Sequence, residues 1–272
     1  MSTINDSLAQ QPVALTQPVT GDLRTRFFDS HFHIIDPRFP LVPNQGYLPP
    51  MFTIADYQAS TTNFHVVGGA VVSGSFQSFD QRYLVAALLE LGPRFVGVTQ
   101  LPATVSDEEI LELDEVGVRA VRFNLYRGGS ESIDRLEEMA RRVFNLAGWH
   151  VELYVNSRDL PELMPRLLTL PHVSIDHLGL AGEGLPHILK LAEQGGFIKA
   201  TGFGRCDFDV PEALRAIYAA NPAALIFGTD LPSTRAPRPF TETDVTLILD
   251  TLGTDAGRRV LSVNAARLYK LA

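Results

Sequence analysis

Eight short apolar runs, each followed by a longer stretch with helical spacing, succeed one another along the 272 residues of the chain. The runs occupy 26–29, 65–72, 95–99, 118–123, 151–155, 173–176, 197–201 and 225–228. Most are continuous rather than alternating, the pattern of parallel strands covered on both faces. The helical stretches fall at 54–61, 81–91, 107–113, 133–146, 160–168, 185–193, 211–219 and 244–252, with a last helix over 256–271. Thr53, Ser106, Asp159 and Thr243 stand where N-caps belong, and Pro161 and Pro211 suit first helical turns.

Strand–helix repetition implies right-handed parallel crossovers, and eight units can close on themselves without a free edge. The expected fold is therefore an α/β, single (β/α)8 TIM barrel, a fold that takes roughly 250 residues. An open doubly wound sheet is the alternative. It would place a glycine-rich phosphate turn after its first strand, whereas this chain runs from Asp29 straight into Ser30, His31, Phe32 and His33. Residues 1–22, rich in Gln, Thr, Ser and Pro, read as a flexible tail, and 23–272 as the barrel domain.

The net charge of −8 is scattered rather than blocked, which suits a solvated surface and argues against nucleic acid. No apolar run nears the ~18 residues of a membrane span, and the N-terminus lacks the order of a signal peptide, so the expected setting is cytoplasmic, with no membrane partner. Cys206 is the only cysteine, which excludes an internal disulfide. The pattern fits a monomer or a homo-oligomer equally.

Barrels of this kind place reactive groups at the C-terminal ends of their strands. The first strand is followed by His31 and His33, whose spacing of two points both rings to one side. The sixth ends at Asp176 and His177, and the eighth leads through Gly228 and Thr229 to Asp230. Three imidazoles and a carboxylate converging from three strands can hold a divalent ion such as Zn2+, and Asp230 can take a proton from water. Arg122 and Arg127 can offer planar forks to a substrate carboxylate, and Arg205 follows strand seven. Arg119, earlier in its strand, reads as an ion-pairing residue, and Trp149 as packing. His65, His150, His172 and His187 lie at strand starts or in helices and read as structural or exposed. A proline-rich loop over 36–51 crosses the expected mouth. Its Tyr47 either contacts ligand or packs on the rim, and Tyr154 is placed to face the mouth.

In these pieces the chain resembles the amidohydrolase superfamily, in the amidohydrolase-2 branch that includes 2-pyrone-4,6-dicarboxylate lactonases and related sugar lactonases. The resemblance rests on FDSHFHIIDP at 28–37, FPLVP-x-x-GY-x-P at 39–49, GVRAVRFN at 117–124, IDHLG at 175–179 and FGTDLP at 227–232. It implies a hydrolase that opens a lactone or similar cyclic ester of a small carboxylated or polyhydroxylated substrate, with Asp230 as general base. It assigns Tyr47, Arg122, Arg127, Tyr154 and Arg205 to substrate contacts and places Ser73 and Ser75 beside the same pocket. His31, His33, His177 and Asp230 then either bind one divalent ion, zinc by ligand type, or act without metal. Members with two metals bridge them from a middle strand, a position read here as Tyr154, so two ions are not expected. Leu180 stands where the dicarboxylate lactonases carry an arginine. A zinc-dependent non-oxidative decarboxylase is the rival reading within the branch. A ligand-binding barrel without catalysis is a further rival, against which the complete histidine and aspartate set argues.

Overall fold

The computed structural model describes residues 24–271. The expected tail over 1–22 and the domain start at Leu23 lie outside the described residues. Eight parallel strands follow in sequence order around one sheet: β1 (Arg26–Phe32), β2 (His65–Val72), β3 (Phe95–Thr99), β4 (Val118–Asn124), β5 (His150–Tyr154), β6 (Val173–Ile175), β7 (Phe197–Ala200) and β8 (Leu225–Phe227). Helices α1 (Ile54–Ser60), α2 (Arg82–Leu91), α3 (Asp107–Glu115), α4 (Leu136–Ala147), α5 (Leu160–Leu167), α6 (Leu185–Glu193), α7 (Val210–Ala220) and α8 (Glu242–Leu252) alternate with them. The fold is the expected (β/α)8 barrel.

Thr53 and Ser106 cap α1 and α3 by accepting from the backbone N–H groups of Asp56 and Glu109. Asp159 precedes α5 without a side-chain cap, and α8 is capped by Thr241 rather than Thr243. The expected last helix is instead α9 (Thr254–Arg258) and α10 (Asn264–Leu268), joined by a π-helical stretch over Arg259–Val263. Between strands and helices lies one large apolar core. A second cluster fills the bottom of the barrel, where Phe28, Ala70, Val96, Ala120 and Ile226 meet Tyr269 from the C-terminal segment.

Side chains close the seam between β8 and β1. Thr229 donates to the Asp29 carboxylate from both its backbone N (2.8 Å) and its hydroxyl (2.7 Å), and Tyr57 of α1 donates to the same carboxylate at 3.1 Å. Beyond this point the backbone takes over: Asp230 N–H donates to His31 O and His33 N–H to Leu231 O, both at 2.7 Å. Burial raises the Asp29 carboxyl to about 6, against these hydrogen bonds.

The register of β1 against β2 shifts between Asp29 and Phe32. Phe28 packs in the inner cluster and His31, an odd number of positions later, also points inward. A bulge is what permits that change of parity, because regular strand alternation would send His31 outward. β1 therefore runs through the polar residues at which the sequence pattern had seemed to end it.

Candidate active site

The polar residues around the barrel mouth come from the C-terminal ends of the strands and the turns that follow them. His31 and His33 come from the bulged end of β1, Arg122 and Asn124 from β4, Tyr154 from β5, His177 from the turn after β6, Arg205 from the turn after β7, and Asp230 from the loop after β8. Two glycines make the convergence possible. A Cβ on Gly228 would lie 2.6 Å from the backbone N of His31, and one on Gly202 would lie 2.6 Å from Nδ1 of His177. Two of the converging residues hold left-handed backbone conformations, His177 with φ 52° and Asp230 with φ 64°, which non-glycine residues adopt only under a strong local constraint.

Asp230 is fully buried. Its Oδ2 accepts from Nε of Arg205 at 2.8 Å, while Oδ1 has no hydrogen-bond partner and lies 4.0 Å from Nε2 of His177. Burial raises its carboxyl above the ordinary value, with Arg205 opposing. The result is a carboxylate held at one oxygen and unpartnered at the other. Arg205 is fixed in turn by a 2.9 Å bond from Nη2 to Thr234 O.

The three imidazoles are neutral. Burial holds His31 well below the usual range, and burial followed by Arg205 does the same for His177. Burial, then Arg122, brings His33 to about 3. Nδ1 of His33 lies 2.7 Å from Val72 O and must donate to it, which leaves Nε2 as the free acceptor. Nε2 of His31 and Nδ1 of His177 have no hydrogen-bond partner. His31, His177 and Asp230 each offer one ligand atom within 4.8 Å of the others. His33 lies outside that group, with its Nε2 free.

Beneath this layer lies a charged floor. Lys199 on β7 pairs with Glu152 on β5 and donates to Ser30 O at 2.8 Å. Arg122 donates to Asp176 Oδ2 from Nε (3.2 Å) and Nη2 (2.6 Å), and from Nη1 to Ser73 O (2.8 Å). Nδ1 of His31 is 3.3 Å from Asp176 Oδ1 and 3.4 Å from Nζ of Lys199. Burial alone would raise both carboxyls. Arg122 and His31 nevertheless hold Asp176 well below its ordinary value, while Glu152, crowded also by Asp176, goes up.

Above the floor opens a cleft bounded by His33, His177, Asp230, Arg205 and Tyr154, with Tyr47, Arg127 and Arg235 at its outer side. The amidohydrolase family model matches residues 28–271, nearly all of the described chain. The chain belongs to the amidohydrolase family.

Among relatives of this amidohydrolase, a 2-pyrone-4,6-dicarboxylate hydrolase of Comamonas testosteroni is 34% identical over 156 residues, covering 56% of this chain and 51% of the relative. The match therefore spans about half the length of that relative. A 4-sulfomuconolactone hydrolase of Rhizobium radiobacter is 28% identical over 247 residues, 82% of this chain and 81% of that one. Two solved structures provisionally named 2-pyrone-4,6-dicarboxylic acid hydrolase share the fold. The Pseudomonas putida protein superposes with TM-score 0.75 at 25% identity, covering 90% of this chain and 97% of that one. The Acinetobacter baumannii protein, with citric acid bound, gives 0.77 at 22%, covering 90% and 99%.

In the amidohydrolase the expected residues gather at one mouth, with three adjustments. Ser75 borders the cleft, but the Ser73 hydroxyl is turned to Tyr83 OH at 2.6 Å and only its carbonyl serves the site. Arg122 borders the cleft too, yet its fork is filled by Asp176 rather than open to a substrate. The middle-strand position read as Tyr154 overlooks Glu152, two residues earlier, which faces the barrel interior 3.6 Å from His31 Nδ1. Leu180 is buried and contributes no charge.

Arg119 pairs with Asp114 at 2.9 Å, and Trp149 is buried with Nε1 donating to the same carboxylate at 2.8 Å, as the sequence suggests. Sequence reasoning missed Asp29, Glu152 and Arg235. An acidic residue at inward parity in the otherwise apolar VELY run was the available signal for Glu152. Arg235 carries no such signal, because it lies in an aperiodic loop after β8.

Proposed function

We propose that this enzyme hydrolyses the ring ester of a small anionic lactone, with Asp230 as the general base. The observation that carries the reading is the asymmetric Asp230 carboxylate: Arg205 fixes Oδ2, and Oδ1 is unpartnered within the cleft. A buried carboxylate so held is oriented and more basic than a surface one, as proton abstraction from water requires.

In the proposed reaction water adds to the lactone carbonyl as its proton passes to Oδ1 of Asp230. The tetrahedral oxyanion faces neutral imidazoles and the Arg205 guanidinium, which supply preorganised electrostatic stabilisation. Collapse breaks the ring C–O bond, and Asp230 returns the proton to the departing oxygen, so the product carries one new carboxyl and one new hydroxyl. The relatives named for a pyrone dicarboxylate and a sulfomuconolactone, both cyclic esters bearing anionic groups, support this chemistry.

His31, His177 and Asp230 form a donor set that fits one divalent ion, and nitrogen-plus-carboxylate ligation favours zinc. When bound, such an ion polarises a carbonyl and makes water more acidic. The ordering of His31 beside Asp176 suits that role, since a carboxylate behind an imidazole fixes which nitrogen faces the site. Elemental analysis of the purified protein, alongside a pH-indicator screen of anionic lactones, tests the proposal. Acid release from at least one such lactone is expected. Release of CO2 from a carboxylated aromatic in its place would contradict the reading.

A further inference from the structure

A second cavity, of about 360 Å3, opens at the end of the barrel opposite the cleft. That volume falls within the roughly 300–1,000 Å3 of small-molecule pockets. One wall is made by the strand starts: His150 begins β5, Phe197 begins β7, and His172 and Ala224 immediately precede β6 and β8. The C-terminal segment makes the other, with Arg267 and Leu268 ending α10 and Lys270 just beyond it. Phe197 and Leu268 are half-buried against the inner apolar cluster, and the surface they leave uncovered makes the lining mostly apolar.

The charged part of the lining is of one kind. Arg267, Lys270 and two histidines border the cavity, and among the described residues no Asp or Glu does. In a chain of net charge −8, with its acidic residues spread along the sequence, such a rim attracts anions. Lys270 is drawn across the opening by a 3.1 Å bond from Nζ to Gly148 O. Asn221 is already engaged, donating to Ala192 O and accepting from the backbone N of Ala223, both at 2.9 Å. His150 is not. Its ring is only 4% exposed, tilted against the Tyr269 ring at 5.4 Å, and Nε2 has no hydrogen-bond partner. A buried nitrogen left so carries a desolvation cost that a polar occupant offsets.

We propose that this cavity is a second ligand site, separate from the catalytic cleft, for a small organic carboxylate with an apolar body. The carboxylate is taken by Arg267 and Lys270, and the body lies against Phe197, Leu268 and Ala224. Charge-assisted hydrogen bonds favour the anion at the rim, and burial of its apolar part favours an organic acid over a bare inorganic anion.

The test reads the site through the ring resonances of His150 and His172, in NMR titrations of the full chain with 2-naphthoate, its uncharged analogue naphthalene-2-carboxamide, and inorganic phosphate. Naphthoate should shift both rings saturably, with an affinity about 10-fold or more above that of the amide, and phosphate should shift neither at the same concentration. Arg267 and Lys270 are exposed, so both can be reversed in charge. The double variant Arg267→Glu, Lys270→Glu should weaken naphthoate about 10-fold to 100-fold while sparing the amide. Rings that do not respond to naphthoate, equal affinity for acid and amide, phosphate acting as well as naphthoate, or an unchanged affinity in the double variant would each overturn the assignment. If the double variant fails to fold, Ala223→Trp fills the cavity from its half-buried wall and should abolish the shifts; shifts that persist there would overturn it as well.

Discussion

Oδ1 of Asp230 stands 4.0 Å from Nε2 of His177, too far for a hydrogen bond, although both side chains are buried. That gap, with Arg205 holding the other oxygen, leaves Oδ1 without a partner among the described residues. Both residues depend on elements below them, and those elements can be tested separately.

The β8–β1 seam predicts a stability effect remote from the chemistry. Thr229→Val keeps the backbone bond to Asp29 but deprives a buried carboxylate of its 2.7 Å hydroxyl donor. A loss of about 1–3 kcal/mol is expected in urea denaturation. A change within about 0.3 kcal/mol would mean that the seam does not depend on this contact.

The Lys199–Glu152 pair is fully buried, so removing one partner strands the other. Lys199→Met should cost about 3–5 kcal/mol. Adding Glu152→Gln should recover part of that loss, with a coupling energy above about 1 kcal/mol in the double-mutant cycle. Strict additivity would show that the two charges do not compensate one another.

His150 gives a pH dependence. Burial, then Lys199, lowers its imidazole to about 3. The unfolded chain takes up the proton near pH 6.5 and the folded chain only near 3, so this contribution is present above pH 6.5 and is lost as pH falls towards 3. At pH 4 the loss amounts to on the order of 3 kcal/mol. In NMR the His150 ring should show no titration between pH 5 and 8, and a midpoint inside that range would refute the assignment.

The strands were legible because parallel strands covered on both faces must be continuous apolar runs, and the bounds of β2 and β3 follow the sequence pattern residue for residue. β1 was cut short at Asp29 because a polar Asp-Ser-His segment looks like a loop until its partners on β8 and α1 are known. The same limit hid the floor of the site. Glu152, Asp176 and Lys199 lie far apart in sequence, and only closure of the barrel brings their compensating charges together. His31, His177 and Asp230 were legible because strand ends can be counted. Which nitrogen of His33 stays free was not, since it depends on a bond to Val72 O on the neighbouring strand. Arg122 read as a free fork because Asp176, its partner, enters from a strand about fifty positions later.

The central claim is that Asp230 transfers the proton. The most direct measurement compares kcat of wild type and Asp230→Asn on the best anionic lactone, with folding checked by circular dichroism and ligand binding by calorimetry. The account predicts a loss of about 10²-fold to 10⁴-fold in kcat with the fold intact. An Asp230→Asn protein that turns the lactone over at near the wild-type rate would contradict it.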